Sequence, residues 1–181
     1  MGNSLKVLIT LILNSLLGLF VVEAAMAQSF IIGQKFAGGI IFYVDTSGCH
    51  GLIAAPYDVR TSAPLASSMA WRIPGAYGRE IGAGIINTLD MLTIKTFQAE
   101  TAPYLCATFS NDGYNDWFLP SLDELDQLYF HKNEIGGFLS KYYWSSTVTG
   151  AYRGWAQHFM NGSQKIFNPN AKLAVRPIRA F

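Results

Sequence analysis

"NDGYNDWFLPSLDELDQLYFHK", residues 111–132, compresses a turn, a short apolar run and a helix into one stretch. Asn111, Asp112 and Gly113 are turn formers: the Asn and Asp side chains bond nearby backbone, and glycine takes positive φ without steric cost. "DWFLP" (116–120) reads as a short buried strand that places Trp117 in the core. Pro120 favours an extended entry before the helix cap. In "SLDELDQLYFHK" (121–132), Leu122, Leu125, Leu128 and Tyr129 fall on one face of a helix. Ser121 and Glu124 have the spacing of a capping box, in which hydroxyl and carboxylate satisfy orphan amides at the helix start. Asp123, Glu124 and Asp126 suit the positive end of the helix dipole. These acids therefore read as structural. A calcium loop of the D-x-[DN]-x-[DN]-G-x5-E type would need a glutamate where Leu119 stands. An irregular oxygen-ligand site from Asp112, Asn115 and Asp116 is the alternative that spacing leaves open.

The N-terminus sets the compartment. Lys6 precedes the apolar run "VLITLILNSLLGLFVV" (7–22), and "EAAMAQS" places small residues at Ala25 and Ala27. A basic start, an apolar middle and an A-x-A site predict a signal peptide over residues 1–27, cut after Ala27. An uncleaved membrane anchor is the competing reading. The run is shorter than the roughly 20 residues a span needs, and Asn14, Ser15 and Gly18 interrupt it. Residues 28–181 then form one exported domain, placed in the periplasm, at the cell surface or outside the cell.

With 50% hydrophobic and 14% charged residues, the composition excludes a disordered chain. Two cysteines in an oxidising compartment predict one disulfide, Cys49–Cys106, against the alternative of two buried free thiols. No C-x-x-C or H-x-x-x-H spacing supports zinc, and no cofactor is expected.

Outside the opening stretch the pattern is α+β. "GGIIFYVD" (38–45) and "GLIAAP" (51–56) read as a hairpin across "TSGCH". Residues 57–79 read as loop. "AGIINTLDMLTIKTF" (83–97) reads as a helix whose inner face carries Ile85, Leu89, Leu92 and Phe97. A second helix fits "AETAPYLCATF" (99–109), broken or delayed by Pro103. "YYWSSTV" (142–148) has strand composition. "GWAQHFM" and "SQKIF" flank Asn161-Gly162, the signature of a type I′ hairpin. "LAVRPIRAF" (173–181) closes the chain, with Pro177 suited to an edge or bulge.

Charge is unevenly distributed although the net charge is only +1. Residues 141–181 carry Lys141, Arg153, Lys165, Lys172, Arg176 and Arg179 and no Asp or Glu, whereas residues 80–134 hold nine of the twelve acids. A basic face for an anionic polymer is one consequence. Local neutralisation by the acidic helix is the other. The candidate ligand-binding residues are Arg153, Lys165, Lys172 and Arg176, with Tyr152 and Trp155 as aromatic platforms for sugar rings. Nucleic acid does not suit an exported chain without a recognised motif. His50, His131 and His158 are scattered, and Ser145 and Ser146 lack a G-x-S-x-G elbow, so no enzyme is expected.

The ordered motifs "GGIIFYVD", "GLIAAP", "IGAGIINT", "GYNDWFLPSLDELDQLY", "IGGF", "YYWSST", W-x-Q-x-F-x-x-G-x-Q and "VRPIRAF" resemble the Lcl C-terminal domain family, over about residues 33–181. That family is named for the C-terminal domain of a bacterial collagen-like adhesin. The resemblance implies a C-type-lectin-like fold with antiparallel sheets and two or three helices. It implies an adhesin-like, carbohydrate-binding module, since the namesake domain is a trimer that binds sulfated glycosaminoglycans, and it leaves a homo-oligomer open. A structural or protein-interaction module of a surface assembly is the alternative. This chain has no collagen-like tract and no E-P-N or Q-P-D tripeptide, so calcium-dependent sugar binding is not expected. "LPSLDEL" also resembles a segment of formylglycine-generating enzymes, but no cysteine follows Cys106 to supply their late reactive pair.

Overall fold

The computed structural model describes residues 29–66, 78–94, 99–149 and 153–181. The expected signal peptide, Tyr152 and Phe97 lie outside the described residues. Among the described residues, nine strands and four helices give an α+β fold. The strands are β1 (Lys35–Phe36), β2 (Gly39–Val44), β3 (Gly51–Ala54), β4 (Arg60–Ala63), β5 (Tyr142–Thr149), β6 (Arg153–His158), β7 (Gln164–Phe167), β8 (Leu173–Val175) and β9 (Ile178–Ala180). The helices are α1 (Ala83–Leu92), α2 (Ala102–Ala107), α3 (Leu122–Phe130) and α4 (Lys132–Ile135).

One sheet has the order β1-β2-β3-β9 and the other β4-β8-β5-β6-β7. All neighbours are antiparallel except β5 and β8, which run parallel at Tyr143 and Ala174. The expectation of antiparallel sheets with at most three helices is thus corrected by that parallel pair and by α4. The chain changes sheets at Arg176-Pro177, between β8 and β9. Proline cannot donate to a ladder, and here its carbonyl accepts the Ala55 amide at 2.9 Å.

The opening stretch divides as its residues dictate. Phe118 exchanges two backbone bonds with Ile178, of 2.8 and 3.0 Å, which ties "DWFLP" to β9 through one isolated bridge. Trp117 is buried and donates its indole N–H to the Tyr114 carbonyl. Leu122, Leu125 and Leu128 of α3 are fully buried; the latter two pack with Phe42, Tyr143, Phe159 and Ile178.

The capping box is complete. Ser121 Oγ accepts the Glu124 amide, and Glu124 Oε2 accepts the Ser121 amide at 2.7 Å. The same carboxylate also serves α1. That helix begins at Gly82 without a side-chain cap, and Glu124 Oε1 accepts the Gly82 amide at 2.8 Å. Ser121 Oγ donates to the Glu80 carbonyl, and the Asp123 amide donates to the Arg79 carbonyl.

The inner face of α1 differs from the expected one. Ala83, Gly84, Asn87, Thr88 and Met91 are buried, whereas Ile85, Ile86 and Leu89 are 39%, 56% and 56% exposed. Hydrogen bonds outweigh apolar periodicity here. Asn87 Nδ2 donates to the Gly78 carbonyl at 2.6 Å and to Ser146 Oγ. Thr88 Oγ1 accepts the Leu119 amide at 3.0 Å. Small residues let α1 approach closely enough for these bonds.

Two further readings are corrected. Residues 60–63, read as loop, form the edge strand β4, whose "RTSA" exposes its first three residues, buries Ala63 and has no apolar alternation to betray it. The β6–β7 hairpin forms, but only Gly162 of the Asn-Gly pair has positive φ (75°). A type I′ turn needs two such residues. The chain instead makes a longer loop, closed by Gly162 N–H to the His158 carbonyl and His158 N–H to the Ser163 carbonyl.

A methyl group at Gly84 would run into the Glu124 carboxylate, the Leu119 carbonyl and the Ser121 amide. Gly→Ala inside a helix ordinarily gains about 0.5–1 kcal/mol. Gly84→Ala should instead lower stability in chemical denaturation. An unchanged or raised midpoint would show that the approach of α1 to Glu124 is not close.

Candidate functional site

The basic C-terminal segment does not act as a unit. Arg176 is buried, which corrects its assignment as a ligand contact. Its Nε donates to Asp58 Oδ1 at 2.7 Å, and its Nη atoms donate to the carbonyls of Ala55, Gly136 and Gly137. Its guanidinium lies 4.1 Å over the Phe138 ring. The other oxygen of Asp58 accepts the Tyr143 hydroxyl at 2.7 Å. Burial, with the adjacent Asp58 charge, holds that phenol above its ordinary range. Arginine takes this post because a rigid fork of five donors can satisfy several carbonyls and a carboxylate at once.

Arg179 is also committed internally. It pairs with both oxygens of Asp116, at 2.6 and 2.8 Å, and stacks over Tyr114. The Arg179 hydrogen bond holds the Asp116 carboxyl below its usual range. Asp116, considered for an irregular cation site, is therefore occupied by arginine.

Arg153, Lys165 and Lys172 are exposed. Strand alternation separates the first two. Lys165 pairs with Ala156, so Arg153, an odd number of residues away, points to the opposite face of β6. Trp155 is only half-buried, while Trp144 is fully buried with its indole N–H on the Ala63 carbonyl.

One cleft does gather cations. Lys141 and Lys172 line an open depression of about 310 Å³ with Thr61, Ser62, Ser140, Tyr142, His158 and Leu173. It forms where the start of β5, the end of β6 and the start of β8 meet β4. Among the described residues, no Asp or Glu lines it and neither lysine has a carboxylate partner. Tyr142 is held edge-on between His158 and Phe167, with centroids 4.6 and 4.7 Å away. Lys165 lies along the same sheet face, 5.5 Å from the Phe167 ring. Phosphate, sulfate or carboxylate groups fit such a wall of ammonium, hydroxyl and imidazole donors.

Known proteins give no further guide. The chain matches no family model and no curated protein.

Of the sequence candidates, Lys172 lines this cleft and Lys165 does not. Sequence reading missed Lys141, Tyr142 and His158 as cleft residues, because the cleft depends on β4, which had no strand signal. The residues that could have betrayed it are Tyr142 and His158, polar-tipped aromatics at the ends of neighbouring strands.

The expected disulfide is also corrected. Both cysteines are free: Cys49 is exposed in the β2–β3 turn, and Cys106 is fully buried in α2 beside Met91, Leu119 and Trp144. Burial pushes the Cys106 thiol well above its ordinary range. A thiol reagent should modify Cys49 in the native protein and reach Cys106 only on unfolding; protection of both thiols until reduction would restore the bridge.

Arg176→Met would leave Asp58 buried without its cation, a change that typically costs about 3–5 kcal/mol. Thermal or urea unfolding should reveal a loss of that order. A shift within the range of ordinary surface substitutions would return Arg176 to the list of ligand contacts.

Proposed function

We propose that the chain is an exported, C-type-lectin-like binding module that recognises an anionic polysaccharide through the Lys141–Lys172 cleft. The observation that carries this reading is the cleft itself: two lysines without carboxylate partners among the described residues, hydroxyl donors, and the half-buried Tyr142 ring beside them. A pyranose can lay its apolar face on the tyrosine while its acidic substituents meet the ammonium groups. The ordered motifs that resemble the Lcl C-terminal domain family support the lectin-like part. The topology accommodates it, since the last strand returns beside the first three while a second sheet carries the cleft. Export rests on the N-terminal signal pattern.

A protein-interaction module of a surface assembly is the second reading. The exposed Ile85, Ile86 and Leu89 on α1 favour it, because clustered apolar side chains in water mark contact surfaces.

Binding of heparin and alginate, measured between about 50 and 500 mM salt, separates the two. Exposed charges are screened over about 8 Å at physiological salt, so affinity should fall as salt rises. Lys141→Glu/Lys172→Glu should abolish binding. Arg153→Glu, on the opposite sheet face from Lys165, should leave most of it. Binding indifferent to salt and to the double reversal would overturn the cleft as the site. No binding to any glycan would favour the assembly reading.

A further inference from the structure

His158 shares the cleft wall with Lys141 and Lys172, and its surroundings make its protonation state consequential. Its Nδ1 accepts the Met160 amide at 3.2 Å. A neutral imidazole has one donor and one acceptor nitrogen, so this bond assigns the lone pair to Nδ1 and the proton to Nε2. Adding a second proton puts an N–H on Nδ1, facing the Met160 N–H. That hydrogen bond is then lost. Protonation thus costs one hydrogen bond and sets a third positive charge in the same wall as two ammonium groups. An anion in the cleft reverses the balance, because it is drawn to a third positive charge.

We propose that His158 is a pH-sensitive element of the cleft, so that anion binding tightens as pH falls through the histidine range and takes up a proton. The inference rests on the cleft being the binding site. The groups that face His158 are consistent with it. From β5 come Tyr142 and the preceding Lys141, and from β8 the preceding Lys172. Thr61 and Ser62 come from β4, and Ser163 from the turn before β7. Lys165 lies further along the same face. Lys132 of α4 reaches the carbonyls of Phe159 and Met160 in the adjoining loop. Asp126 binds Gln157, whose side chain points to the other face of β6. Among the described residues, no carboxylate lines the cleft to offset the new charge.

Dextran sulfate is the probe, because sulfate esters stay ionised while histidine titrates. Affinity is measured at about pH 7.5 and about pH 5.5 at constant ionic strength, and proton uptake by calorimetry in two buffers of different ionisation heat. Wild type should bind about fivefold tighter at the lower pH, the effect of one added charge at contact distance in water. His158→Gln should bind with the same affinity at both pH values, losing the enhancement and the proton uptake. His158→Lys, charged at both values, should bind tightly without pH dependence. His50→Gln should behave as wild type. A His158→Gln variant that tracks wild type, or a pH-flat wild type that still binds, would overturn the switch and leave the cleft reading intact. No binding by any variant at either pH would overturn both.

Discussion

A carboxylate with no ion-pair partner among the described residues joins the two long helices. Glu124 closes the capping box of α3 and, with its second oxygen, caps α1, whose own N-cap residue is a glycine without a side chain to do so. Two helix N-termini supply the positive potential that a counter-ion would otherwise provide. Burial still raises the carboxyl above its ordinary range, against the amides of Ser121, Gly82 and Gly84, which pull it down. The folded chain therefore holds this proton more tightly than the unfolded chain. Its contribution to stability is greatest below the usual glutamate range and declines as pH rises through the raised value. An acceptor-only group is nonetheless what the site needs, since the groups that meet the carboxylate are N–H donors. The position of α1 depends on it: Asn87 and Thr88 can satisfy Gly78, Ser146 and Leu119 only because the helix start is held there.

Charge is used in two ways that the sequence does not distinguish. Arg176 and Arg179 stand on either side of Pro177, where the chain passes from one sheet to the other. Each pins that passage to a distant loop through an acid, Asp58 or Asp116. They are framework, and their buried guanidinium groups are committed to internal carboxylates and carbonyls. The lysines, strongly hydrated point charges, remain at the surface, and two of them share one cleft. The apparent basic block of the last forty residues thus resolves into internal struts and a smaller external patch.

Much of this was legible where local rules and tertiary demands agree. The α3 start, its Leu122–Leu125–Leu128 face, the β2–β3 hairpin and β5 each satisfied propensity, pattern and packing together. The inner face of α1 was not legible, because its burial is set by hydrogen bonds to residues 31 and 59 positions away, and apolar periodicity pointed outward. The fate of Arg176 was hidden for the same reason: its acid partner lies 118 residues earlier. The cysteines had the composition of a bridge without the geometry, one in a hairpin turn and one in a helix core. Likewise the cleft required β4, a mostly exposed strand that only its pairing with β8 defines.

The proposed ligand surface is the Lys141–Lys172 cleft, with an anionic sugar polymer as its occupant. Chemical-shift mapping of the labelled protein with a short sulfated oligosaccharide tests it most directly. The expected result is a set of perturbed resonances at Thr61, Ser62, Lys141, Tyr142, His158 and Lys172, with Ile85, Ile86 and Leu89 of α1 unmoved. Perturbations centred on α1 or on Arg153, or none at saturating oligosaccharide, would contradict it.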